Sequence, residues 1–113
     1  MTLENKRFFY DSGSSSEEVW PGITRKVMGY DERLMLVKVN FVKGAEAPEH
    51  NHPHSQTSYI GSGKFEVIIG EERKVLEAGD AFFVPSGLKH SVTALEAGTV
   101  VDAFSPHREG SKK

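Results

Sequence analysis

The chain of 113 residues is predicted to be all-β, a sandwich or barrel of many short strands. Three observations carry this. From Thr24 onward, short apolar-rich segments alternate with turn signals. Most of those turns contain glycine, which accepts a positive φ at no steric cost. No stretch of a dozen residues repeats its apolar positions with the 3.6-residue period of a helix.

The elements follow in order. Residues 1–22 read as a polar N-terminal arm containing the flexible run Ser12-Gly13-Ser14-Ser15-Ser16, with Phe8, Phe9 and Trp20 placed to anchor it on the body. Residues 23–113 form the expected barrel. Residues 24–30 read as a strand, and Asp31-Glu32 as a turn. Residues 33–43 give the clearest strand: Met35, Val37, Val39 and Phe41 share one face, and Lys38 and Asn40 the other. Further strands are expected at 56–60, 64–69, 73–76, 81–84, 91–94 and 99–104. The turns between them hold Gly61 and Gly63, Gly70, Gly79, Gly87 and Gly98.

Composition narrows the function. Fourteen basic residues against 16 acidic ones leave a formal net charge of −2. That argues against a nucleic-acid partner and against a polybasic membrane surface. No purely apolar run exceeds the length of residues 34–37, far short of a membrane span or a signal-peptide core. There is no cysteine, which removes disulfides, thiolate metal sites and cysteine nucleophiles. A cytoplasmic protein is the default expectation, and any metal must be held by histidine, carboxylate or amide oxygen.

Three of the five histidines fall in His50-Asn51-His52-Pro53-His54. On an extended strand His50 and His52 project to the same side, and Gln56 returns to it if the strand continues. His90, after the turn Pro85-Ser86-Gly87, is placed to close the site from a neighbouring strand. Three imidazoles and an amide oxygen make a ligand shell that leaves room for water or substrate, as a catalytic metal requires. Taken alone, the His-x-His pair is equally a surface loop rich in His and Pro. His54 reads as a group behind or at the rim of such a shell, and His107 as a solvated residue of the charged tail.

The wider spacing adds to this. Gly44, His50, His52, Gln56 and Gly63, followed by Gly79, Pro85, Gly87, His90 and Ala94, resemble the two motifs of the cupin superfamily, G-x5-H-x-H-x3-E-x6-G and G-x5-P-x-G-x2-H-x3-N. The resemblance implies a double-stranded β-helix, or jelly-roll barrel, with a divalent transition metal inside. Gln56 stands where Glu is usual and Ala94 where Asn is usual. A neutral Gln56 leaves the ion its full charge, which strengthens Lewis-acid polarisation and disfavours oxidation of the ion. The other reading of Gln56 is a degenerate site without metal. Nickel, zinc, iron, manganese and cobalt all suit these ligands.

Two local strings are similar to a subfamily, the pectin-degradation cupins called KdgF. His50-Asn51-His52-Pro53-His54-Ser55-Gln56-Thr57-Ser58-Tyr59 looks like H-x-H-P-H-x-Q-x-S-Y, and residues 102–109 look like D-x-F-x-P-x-R-E. The resemblance implies an enzyme that opens 4,5-unsaturated monouronates from pectin or alginate to linear 4-deoxy-5-keto uronates, with no redox cofactor. It implies Asp102 as proton carrier, Arg108 as a clamp on the substrate carboxylate and Phe104 as a wall for the sugar. Without the resemblance, Asp102 is an edge-strand charge, Arg108 a solvated tail residue and Phe104 ordinary core. The expected partners are an anionic sugar and, by analogy with small cupins, a second copy in a homodimer. The alternatives are a metal-dependent dioxygenase and a non-catalytic sugar-binding or sensor cupin.

Overall fold

The computed structural model describes residues 7–13 and 15–106. These form eight strands: β1 (Glu17–Trp20), β2 (Ile23–Tyr30), β3 (Met35–Phe41), β4 (Glu46–His50), β5 (Ser55–Ile69), β6 (Glu72–Glu77), β7 (Ala81–Val84) and β8 (His90–Ser105). Every pairing between them is antiparallel. The alternation expected of residues 33–43 appears in β3, where Met35, Val37 and Phe41 are buried.

The two longest strands organise the rest. Residues 55–60 of β5 pair with the end of β8, and residues 65–69 pair with its beginning, with register slips between the two stretches. Both strands bend there together. A methyl on Gly63, whose φ is +89°, would lie 2.6 Å from the Ala97 carbonyl oxygen, and one on Gly98 would overlap the Ser62 carbonyl. Only chains without a Cβ come this close. On one side of the bend run β1-β2-β3-β8-β5-β7, and on the other β4-β8-β5-β6.

The two layers close over a main core, beside which Met35, Val37 and Phe104 form a second buried cluster. Ile23, Phe41, Ile60 and Val100 come from the first layer, and Ala47, Phe65, Val67, Val92 and Ala94 from the second. Phe41 and Phe65 meet across it edge to face, with ring centroids 5.1 Å apart. Phe65 is fully buried, which stabilises the fold by about 1.5–3 kcal/mol. Gly98→Ala is expected to destabilise by about 1–3 kcal/mol, because rigid backbone rather than a yielding side chain opposes the methyl. A melting curve within a degree of wild type would refute this.

Five features differ from the sequence expectation or extend it. Residues 56–60 and 64–69 are one strand, as are 91–94 and 99–104. Their glycines read as turns but serve a shared bend, where the pairing shifts register without ending either strand. Residues 46–50 form β4, a strand absent from the sequence expectation. Within residues 1–22, Glu17–Trp20 forms β1 and pairs with β2. Trp20 packs on the core and the Phe9 ring lies against Gly29, while Phe8 is 76% exposed. Lys26 and Lys38 stand directly opposite on β2 and β3, a repulsive pairing that Asp11 bridges at 3.2 and 2.9 Å. Those two ammonium groups, Lys38 first, hold the Asp11 carboxyl below its ordinary pKa. The tie is therefore present above the ordinary carboxylate range and is lost only as pH falls through the depressed value.

Candidate metal centre and substrate cavity

Three imidazoles converge at one end of the core. His50 ends β4 and His90 begins β8, and the two are direct cross-strand partners with ring centroids 4.2 Å apart. His52 does not continue that strand. It lies on the connection to β5, which the turn Pro85-Ser86-Gly87 secures. Gly87 N–H donates to the His52 carbonyl at 2.8 Å, and the Ser86 hydroxyl donates to the Pro53 carbonyl at 2.6 Å. The expected common side of His50 and His52 is thus reached through a loop rather than an unbroken strand. One potential ligand atom from each of His50, His52 and His90 lies within 4.8 Å of the others.

Local hydrogen bonds decide which nitrogen each ring presents. His50 Nδ1 is 2.8 Å from the Pro48 carbonyl, His52 Nδ1 is 3.1 Å from that of His54, and His90 Nδ1 is 3.0 Å from that of Leu88. A carbonyl only accepts, so each Nδ1 carries the proton and each Nε2 a lone pair. Gln56, the second residue of β5, is oriented as strictly. Its Nε2 donates to Ser58 Oγ at 3.0 Å and to Asp102 Oδ1 at 3.4 Å, which turns Oε1 toward His52. Gln56 Oε1 and His52 Nε2 stand 3.0 Å apart. Two lone pairs at that distance repel, and a cation between them reverses the sign. The His50, His52 and His90 group therefore fits a divalent metal site, and Gln56 is placed to join it.

Asp102 and Phe104 arrive on the same face of β8. Asp102 is the cross-strand partner of Ser58, whose hydroxyl donates to Oδ1 at 2.6 Å. Ser58 thus links Asp102 to the amide of Gln56. Phe104 is buried with Met35 and Val37, and its ring meets that of His52 nearly perpendicularly at 5.7 Å. His54 is half-buried, its ring 5.6 Å from that of His52. Arg108 and His107 lie outside the described residues.

A cavity of about 470 Å³ opens beside the cluster, lined by His50, His90, Gln56, Asp102 and Phe104. That volume is in the range of small-molecule sites. Three further residues at the site carry no site role in the sequence expectation. Ser58 sits two residues beyond Gln56, so strand alternation was the signal for it. Trp20, whose ring is 5.5 Å from that of His50, and Arg25, on the cavity wall, come from the first two strands. No local pattern connects them with the histidines some thirty positions later.

Comparison with known proteins agrees with this architecture. The model of the cupin domain matches residues 37–104, and the chain belongs to the cupin family. It is a small cupin that resembles the pectin degradation protein KdgF of Dickeya dadantii, with 41% identity over 105 residues, 91% of this chain and 96% of that one. The solved structure of KdgF from Halomonas sp. is 38% identical, with a TM-score of 0.89, and the match covers 94% of this chain and 98% of that one. An RmlC-like cupin from Shewanella frigidimarina is also 38% identical, with a TM-score of 0.93 over 97% and 99% of the two chains.

Proposed function

We propose that the protein opens 4,5-unsaturated monouronates, the products of pectin or alginate lyases, to linear 4-deoxy-5-keto uronates. The observation that carries this reading is the likeness to the pectin degradation protein along 91% of the chain. The ligand set and the neighbouring acid in one sugar-sized cavity are consistent with it. The metal, held by His50, His52, Gln56 and His90, would supply Lewis-acid stabilisation of negative charge on a substrate oxygen. Its identity within the series nickel, zinc, iron, manganese and cobalt is left to elemental analysis.

The remaining work belongs to side chains. The C1 hydroxyl loses a proton, the bond from C1 to the ring oxygen breaks with its electron pair going to that oxygen, and C4 takes up a proton. One proton leaves and one returns, so composition and oxidation level are unchanged. We assign both transfers to Asp102, whose Oδ1 accepts from Ser58 and Gln56. Phe104 walls the sugar while fixing the His52 ring, and Arg108, from the tail, clamps the substrate carboxylate. Leu36, Tyr59 and Phe83 are exposed on one outward face of β3, β5 and β7, and support reading the protein as a homodimer.

The test is direct. Monouronates freshly released by a lyase are mixed with metal-loaded protein, and the ultraviolet absorbance of the unsaturated ring is followed. The expected result is decay much faster than the spontaneous rate. Decay at the spontaneous rate would leave a cupin without this activity.

A further inference from the structure

Ser58 is a polar side chain where packing alone would favour an apolar one. Two adjacent rows cross β3, β8, β5 and β7 on the interior face: Met35-Phe104-Gln56-Val84 and Val37-Asp102-Ser58-Phe82. The residues that end both rows are buried and apolar, and Ser58 between them is 2% exposed. A hydroxyl in such a place costs free energy unless it is hydrogen-bonded, and alanine would fill the same position without that requirement.

The bonds of Ser58 run in one direction. A hydroxyl has a single proton, and Ser58 gives it to Asp102 Oδ1 at 2.6 Å. A carboxylate has none to return. Toward residue 56, Ser58 therefore offers only a lone pair, and the group that meets it must donate. Gln56 Nε2 does so at 3.0 Å, with a longer bond of 3.4 Å to the same Oδ1 of Asp102. The carboxamide oxygen is left to face His52 Nε2, 3.0 Å away. A carboxylate at position 56 would bring acceptors alone to a lone pair and to a second carboxylate.

We infer that Ser58 is a positioning residue of the metal site, an inference that deepens the metal reading above and rests on it. By committing its proton to Asp102, Ser58 turns the oxygen of residue 56 toward the ion and requires that residue to be an amide. The glutamine at this position, where the cupin motif usually has glutamate, is thus matched to Asp102 through Ser58. The proposed proton carrier and the neutral ligand are two ends of one polarised chain.

Metal-free wild type and S58A are titrated with cobalt(II), followed by calorimetry and by visible absorption, whose bands report the donor atoms around the ion. S58A is expected to bind about 10- to 100-fold more weakly, with altered bands. A hydroxyl that served packing alone would shift the melting temperature and leave both readouts in place. Q56E is then made in wild type and in D102N, and the metal-free proteins are unfolded in urea. In D102N the chain can run in reverse, from the new amide to Ser58 and from Ser58 to the carboxylate at position 56. Q56E is therefore expected to raise the unfolding equilibrium constant about tenfold more beside Asp102 than in D102N. That comparison carries the test if S58A does not fold. Cobalt(II) affinity and bands of S58A equal to wild type, or an equal cost of Q56E in both backgrounds, would overturn the inference. If wild type takes up cobalt(II) and shows the expected effects without turning over the unsaturated monouronate, the ring-opening reading fails and Ser58 keeps its role. If wild type takes up no cobalt(II), the metal reading and this inference fail together.

Discussion

His50→Ala combined with His90→Ala is expected to leave a folded protein that no longer takes up metal. The two rings are cross-strand partners on β4 and β8, so the double change removes two ligand nitrogens from one edge of the site. His52 and Gln56 alone make a poor shell for a divalent ion. Loss of a group that merely orients a ligand costs about 10- to 100-fold in metal affinity or activity, and loss of two ligands should exceed that. Elemental analysis after gel filtration should find metal near zero, with turnover falling in parallel. The polar cluster lies at one end of the core rather than within Phe41, Phe65 and their neighbours, so circular dichroism should change little. Acidification should have the same effect reversibly, because a protonated imidazole has no lone pair to give. Full metal occupancy in the double variant would remove the proposed shell.

Asp102→Asn is expected to lower kcat by about 10²- to 10⁴-fold, the usual worth of a positioned proton carrier, with little change in ligand affinity. Asparagine is nearly isosteric and still presents an oxygen to the Ser58 hydroxyl, so the link from Ser58 to Gln56 survives. What disappears is a basic oxygen beside the sugar. Steady-state kinetics on the unsaturated monouronate and calorimetry with galacturonate together separate the two effects. A variant that turns over within a few-fold of wild type would assign the proton to another group. A wild-type protein that binds as tightly as the variant and is equally inactive would be a binding protein rather than an enzyme.

Much of the site was legible before any coordinates. His50, His52, Gln56 and His90 stand at spacings that announce themselves, because a loop and two strand ends can converge only with particular numbers of residues between glycine turns. The nature of the convergence was less legible. Strand alternation placed His50 and His52 on one side, yet β4 stops at His50 and the His52 backbone is held by the turn containing Gly87. Likewise, glycines at 61–63 and 98 signalled turns. Two strands that bend at the same level keep pairing on either side with a shift of register, which one strand's sequence does not reveal.

The sequence by itself determined an all-β chain, its glycine-marked bends, a candidate set of metal ligands without thiolates, and the cupin resemblance. These rest on local chemistry: side-chain alternation, backbone freedom at glycine, and the donor atoms that histidine and glutamine carry. The tertiary structure decided that Ser58 joins Asp102 to Gln56, and that Trp20 and Arg25 stand at the same cavity. Those facts depend on pairings between β1, β2 and β3, and between β5 and β8, across long separations in sequence. A residue's neighbours across a sheet are set by register, and register is a property of the folded whole.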